Sequence, residues 1–157
     1  MALVVVMGVT GSGKSTVGHA LAERMGVPFA DADDFHSPAN VAKMRSGVPL
    51  TDTDRAPWLR TIGAWLAEHD GAVVTCSALK RVYRDQLRES APGATFLHLH
   101  GDKEAVRKRV GARPGHFMPT SLVDSQFADL EPLGSDEQGV VVDFTLPVDV
   151  IVDRFLE

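Results

Sequence analysis

Residues 8–16 read Gly-Val-Thr-Gly-Ser-Gly-Lys-Ser-Thr, and this run leaves few architectures open to the chain. Gly8, Gly13, Lys14 and Ser15 fill the fixed positions of G-x-x-x-x-G-K-[ST]. An apolar run, Leu3–Met7, precedes them and a stretch with helical periodicity follows, which is the context the motif requires. Glycines at Gly8, Gly11 and Gly13 permit backbone turns closed to other residues. Successive N–H groups from Gly8 and Thr10 through Ser12 to Thr16 are therefore expected to converge on an anion at the positive end of the helix that starts near Lys14. Lys14 is placed to reach β- and γ-phosphates, and the Ser15 hydroxyl to coordinate Mg²⁺. A glycine-rich strand-to-helix turn that binds nothing accounts for the loop but not for lysine, hydroxyl and flanks together, so a nucleoside triphosphate site is expected.

The rest of the composition narrows what surrounds that loop. With 157 residues and 44% hydrophobic content, a single domain with a sheet covered by helices on both faces is predicted. The formal net charge of -5 argues against a nucleic-acid partner, although basic residues cluster between Lys80 and Arg113 and are expected to face phosphate. One cysteine, Cys76, excludes an internal disulfide and fits a cytoplasmic location. No membrane segment or export signal is expected, since the N-terminal apolar run is short, lacks a basic flank and leads straight into the phosphate loop.

Strand-like runs recur at Leu3–Met7, Val27–Ala30, Ala72–Cys76, Thr95–His100 and Gly139–Phe144, separated by stretches of helical periodicity. This alternation predicts a three-layer α/β/α fold around a parallel sheet. Leu-Val-Val-Val and Gly-Val-Val-Val suit strands buried on both faces. The first helix is expected over Lys14–Met25, with Gly26 as its stop.

Five further stretches carry candidate chemistry. Beyond the second strand lies Asp-Ala-Asp-Asp-Phe-His, where ligands are expected in open α/β sheets. The third strand ends Val-Val-Thr-Cys-Ser, without the acidic tip that holds magnesium in many nucleotide hydrolases, so the carboxylate must come from elsewhere. Asp31 and Asp33, two apart and on one side of an extended segment, are the sources: Asp31 for Mg²⁺ through water, Asp33 for the proton of an attacking hydroxyl. Arg55 suits a bidentate grip on a carboxylate or phosphate, or a surface position at a helix start. Trp58 and Trp65 read as core.

After the third strand, Lys80 is favoured as an anion contact at a helix start. Arg81 is left open, and Arg81 and Arg84 also read as partners of Asp85 and nearby acids. His98 and His100 share a strand face, but packing or hydrogen bonding explains them better than zinc. Arg109 and Arg113 are four apart, and Arg113 runs into Pro-Gly-His-Phe-Met-Pro, which reads as a lid over residues 112–120 bringing Arg113 onto the transferring group; a basic helix end complementing its dipole is the other reading. The loop that ends at Pro147 is a candidate adenine contact.

These blocks together, Gly-Val-Thr-Gly-Ser-Gly-Lys-Ser-Thr, Asp-Asp-Phe-His with Asn40, the 43–59 block through Asp-Arg-Ala-Pro-Trp-Leu, Cys-Ser-Ala-Leu-Lys, and Gly-His-Phe-Met-Pro with Gln126, resemble the gluconate kinases, relatives of shikimate kinases with a nucleoside-monophosphate-kinase-like fold. The resemblance covers nearly the whole chain. It implies ATP- and Mg²⁺-dependent phosphorylation of the 6-hydroxyl of D-gluconate, a strand order of 2-3-1-4-5 and a homodimer. By position it implies Lys14 and Ser15 at ATP and Mg²⁺, Asp31 at the metal and Asp33 at the acceptor hydroxyl. It also implies His36, Arg55, Lys80, His116 and Gln126 at the sugar acid, Arg109 over the adenine and Arg113 in the lid. Ala32 departs from the glycine relatives often carry. The alternatives are a kinase of another hydroxy acid such as shikimate, against which stands Cys-Ser-Ala-Leu-Lys in place of a glycine run, and a nucleotide switch, which would leave the carboxylates and Arg55 without a task.

Overall fold

In the computed structural model, residues 2–111 and 120–157 are described. Five parallel strands, β1 (Leu3–Met7), β2 (Phe29–Asp31), β3 (Ala72–Thr75), β4 (Ala94–His100) and β5 (Gly139–Asp143), form one sheet in the order β2-β3-β1-β4-β5. Seven α-helices among the described residues alternate with them: α1 (Lys14–Met25), α2 (Pro38–Arg45), α3 (Asp52–Ala67), α4 (Arg81–Ser90), α5 (Lys103–Gly111), α6 (Thr120–Asp129) and α7 (Val148–Leu156). The expected architecture and strand order are both present.

The central strand shows why the sheet is sandwiched. Side chains alternate across a strand, so Val4 and Val6 feed one core with Leu21, Val106 and Ile151, while Val5 and Met7 feed the other with Leu59, Ile62 and Leu87. These four of the five β1 residues are fully buried. Burying a side chain of this size stabilises by roughly 1.5–3 kcal/mol, so the two cores together hold the loop after Met7 at the sheet's carboxyl edge.

Local chemistry sets the element ends. Gly26 closes α1 in the left-handed conformation at φ 67°, and Val27 N–H is spent on Ala22 O. The second strand therefore starts at Phe29 and not at Val27, because Val27 belongs to the helix stop and Pro28 has no N–H to give. Ser37 caps α2, with Pro38 at its first position, and Thr51 and Asp54 form a reciprocal capping box at the start of α3.

β5 departs from the expectation of burial on both faces. It is the sheet edge beside β4, and Val140 and Val141 remain 37% and 53% exposed while Val142 is buried. An apolar strand at an edge has a neighbour on one side only, so hydrophobic content did not translate into burial.

Candidate active site

The loop after β1 is shaped by its glycines. Gly11 has φ +76°, and a Cβ there would come 2.9 Å from Val110 Cγ2; at Gly8 it would come 2.7 Å from Ser12 Oγ. The backbone thus follows a course that only glycine fits, between β1 and the start of α1. Lys14 Nζ donates to Gly8 O at 3.1 Å and Val9 O at 3.0 Å, which folds the lysine back over its own loop. Ser15 Oγ donates to Asp31 Oδ2 at 3.3 Å. A hydroxyl in the first turn of α1 and a carboxylate at the end of β2, beside a phosphate loop, are the donor set that suits a hard cation completed by phosphate oxygens.

Asp31 and Asp33 come together by a route the sequence did not suggest. They do not lie in one extended segment, because residues Ala32–Phe35 form a short 3₁₀ turn. Asp31 caps that turn, its Oδ1 accepting from Asp33 N–H at 2.9 Å, while its other oxygen faces Ser15. Competition from the local Asx-type cap overrode the period-two reading. Ala32, where a glycine was noted in relatives, is buried and its carbonyl accepts from Trp58 Nε1 at 2.7 Å.

Partial desolvation, then the neighbouring Asp31 carboxylate, raise the Asp33 pKa above its ordinary value, and His36 and Lys14 oppose the shift. The side chain is nevertheless 86% exposed and points its oxygens into open space. His36 Nε2 lies 3.9 Å from Asp33 Oδ1, its ring stacked on Trp58 with centroids 4.3 Å apart. Burial and then the Arg55 charge keep the imidazole pKa below its usual value, the Asp33 carboxylate working the other way. It is neutral at pH 7.

Beyond Asp33 opens a cavity of about 850 Å³ whose walls include His36, Arg55, Trp58, Lys80, Tyr83 and Gln126. In its wall Arg55 Nη1 donates to Tyr83 Oη at 3.0 Å, and Tyr83 Oη donates to Asp52 Oδ1 at 2.6 Å. Lys80, the residue before α4, brings its Nζ to 3.9 Å from the same Asp52 oxygen. Arg55 and Lys80 also lie over the Tyr83 ring at 5.3 and 5.7 Å. Burial and the bond to Asp52 push the Tyr83 hydroxyl up to about 12, so it stays a neutral donor.

Asp52 and Tyr83 are cavity residues that sequence reasoning missed. Their signals were faint: Asp52 lies one turn before Arg55 and Tyr83 one turn after Lys80. Trp58 was read as core and does pack there, yet it also forms the cavity wall behind His36.

Gln126 reaches the phosphate loop, its Oε1 accepting from Thr10 N–H at 2.6 Å, as well as lining the cavity. The basic cluster does not face phosphate as a group. Arg81 pairs with Asp136, Arg84 with Glu137, Arg88 with Asp85 and Glu137, and Arg107 with Glu104 and Asp124. Acids close enough to neutralise these arginines claim them, and Lys80 and Arg109 remain at the site.

Arg109 bridges the loop and the last strand, donating to Ser12 O at 3.3 Å and Phe144 O at 2.8 Å with its guanidinium 4.4 Å over the Phe144 ring. Pro147 lies three residues further on, where α7 begins. His98 is buried in an edge contact with His100, its pKa held down to about 4 by burial and the His100 charge. Arg113 and His116 lie outside the described residues.

Comparison with known proteins places this geometry in context. The family model described as Shikimate kinase matches residues 10–133. A gluconokinase of Gluconobacter oxydans is 47% identical over 157 residues, covering 98% of this chain and 88% of that protein. A thermoresistant gluconokinase of Escherichia coli is 41% identical, covering 99% and 91%. The crystal structure of a gluconokinase from Sinorhizobium meliloti superposes with TM-score 0.91 at 51% identity, covering 99% and 89%. A shikimate kinase from Bacteroides thetaiotaomicron shares the fold, with TM-score 0.70 at 17% identity, covering 98% and 95%.

Proposed function

Because the chain belongs to the gluconokinases, within the shikimate kinase family, we propose that it transfers the γ-phosphoryl group of ATP to the 6-hydroxyl of D-gluconate, giving 6-phospho-D-gluconate and ADP. The observation that carries the reading is the single cavity joining two kinds of chemistry. Asp33, next to the Asp31 carboxylate that meets Ser15, and the cations Arg55 and Lys80 line the same cavity. A polyol acid carries both a hydroxyl for Asp33 and a carboxylate for the two cations, and it fits that combination.

The division of labour follows from the positions. The loop amides from Gly8 to Thr16 and Lys14 hold the β- and γ-phosphates, Arg109 covers the base, and Pro147 borders it. Ser15 and Asp31 are the residues that would hold Mg²⁺, which would neutralise developing charge on the phosphates. Arg55 and Lys80 grip the acceptor carboxylate, while His36, neutral and fixed by its stack on Trp58, hydrogen-bonds the polyol. Gln126 touches both acceptor and loop. Asp33 orients the terminal hydroxyl and takes its proton as the oxygen bonds to the γ-phosphorus and the bond to the β–γ bridging oxygen breaks. By the same likeness to the gluconate kinases, Arg113 is assigned to the transferring group and His116 to the sugar acid.

The enzyme works in the cytoplasm as a homodimer, the state implied by its likeness to the gluconate kinases. No helix among the described residues is long and apolar enough to cross a membrane. The test is ADP release with Mg·ATP across gluconate, other aldonates, shikimate and no acceptor. Gluconate should give the highest kcat/KM. A rate unmoved by gluconate, or a preference for shikimate, would refute the assignment.

A further inference from the structure

The carboxylate of Asp52 sits where an acceptor carboxylate is expected to be gripped. It takes the Tyr83 hydroxyl at 2.6 Å and lies 3.8 Å from Arg55 and 3.9 Å from Lys80. Helix capping does not explain this placement, because the start of α3 is already closed by Thr51 and Asp54. Asp52 turns its side chain away from its own helix to the hydroxyl of a residue on α4. Tyr83 and then the two cations hold its pKa below the ordinary carboxylate value. It is ionised throughout the neutral range.

Two cations alone would favour any anion, and a doubly charged one most of all. Arg55, Lys80 and Asp52 together carry one net positive charge, which a monocarboxylate cancels and a dianion overshoots. We propose that Asp52 is a specificity-determining residue of the acceptor site, setting the charge of the Arg55–Lys80 recess so that a monoanionic polyol acid enters and a dianionic analogue is refused. This is discrimination by a built-in repulsive group in place of an added contact. Tyr83 is the positioning residue that keeps the carboxylate aimed at the cations.

The inference rests on the acceptor reading above, and the experiment separates the two. The KM for gluconate and the competitive inhibition constant of a hexitol monophosphate are measured at pH 8. There the phosphate, whose second pKa is about 6, is a dianion. In Asp52→Asn the ratio of that inhibition constant to the gluconate KM should fall about tenfold, because the dianion's extra charge is no longer repelled. Asp52→Glu should restore the ratio, and Tyr83→Phe should lower it by a smaller factor. A residue that only favoured the helix dipole would move the melting temperature and leave the ratio of the two constants unchanged.

An unmoved ratio in Asp52→Asn overturns the proposal. Should that variant not fold, an unmoved ratio in Tyr83→Phe does the same. Absence of gluconate turnover in the unmodified protein would instead overturn the acceptor reading.

Discussion

Glu137 meets Arg84 at 2.8 Å with side chains only 1% and 0% exposed, so a full ion pair lies inside the protein behind the acceptor cavity. Arg84 spends its other donors on Ala78 O at 2.9 Å and Leu79 O at 3.2 Å. Those carbonyls belong to the turn that delivers Lys80, and Ala78 holds a left-handed φ of 46° there. The pair therefore links the β4–β5 connection to the wall of the site.

Removing one partner of such a pair strands a buried charge. Glu137→Gln should destabilise by about 3 kcal/mol, which for a chain of this length lowers the melting temperature by about 6–12 °C. Thermal unfolding followed by circular dichroism checks it, and a change under about 1 kcal/mol would contradict the account.

The same pair gives stability a sign with pH. Burial pushes the Glu137 carboxyl up, but Arg84, Gly134 N–H and Arg88 outweigh it and bring it down to about 2 from 4.5. A depressed carboxylate contributes stability that is whole above the unfolded value and is lost as pH falls through the folded one. Urea midpoints should drop between about pH 4.5 and 2 in the unmodified protein, and the drop should be shallower in Glu137→Gln.

Lys14→Ala should lower kcat on the order of 10²–10³-fold, because it removes a fixed positive donor from the transferring phosphates. Its melting temperature should stay close to that of the parent. Gly11→Ala should fail differently: the left-handed backbone at φ +76° costs about 1–2 kcal/mol for a residue with a Cβ, and the contact with Val110 adds to it. Calorimetry and ATP titration distinguish the two variants.

Asp33→Asn should reduce kcat about 10²–10⁴-fold if the carboxylate accepts the proton. In the unmodified enzyme kcat/KM should fall as pH drops through the Asp33 pKa, which desolvation and Asp31 hold above 3.8. A pH profile identical in Asp33→Asn would remove Asp33 from the proton path.

Arg55→Ala should raise the KM for gluconate and leave the KM for ATP nearly unchanged, because the clamp is present before and during transfer. An effect confined to ATP would move Arg55 to the nucleotide side.

Much of this was legible in residue order. The phosphate loop, the α1 span from Lys14 to the Gly26 stop and the β/α alternation depend on short-range chemistry: backbone freedom, capping and hydrophobic period. Asp31 and Asp33 were also identified, although through an extended geometry that an Asx cap replaced.

What residue order left open are pairings across the chain. Arg84 and Glu137 are 53 residues apart, Tyr83 and Asp52 31, Thr10 and Gln126 116. An arginine carries no mark of whether phosphate, solvent or a buried acid will hold it. That choice falls to packing, which removes water from some charges and leaves others open, so only the folded chain decided that Arg84 is buried against Glu137 and braces the turn before Lys80.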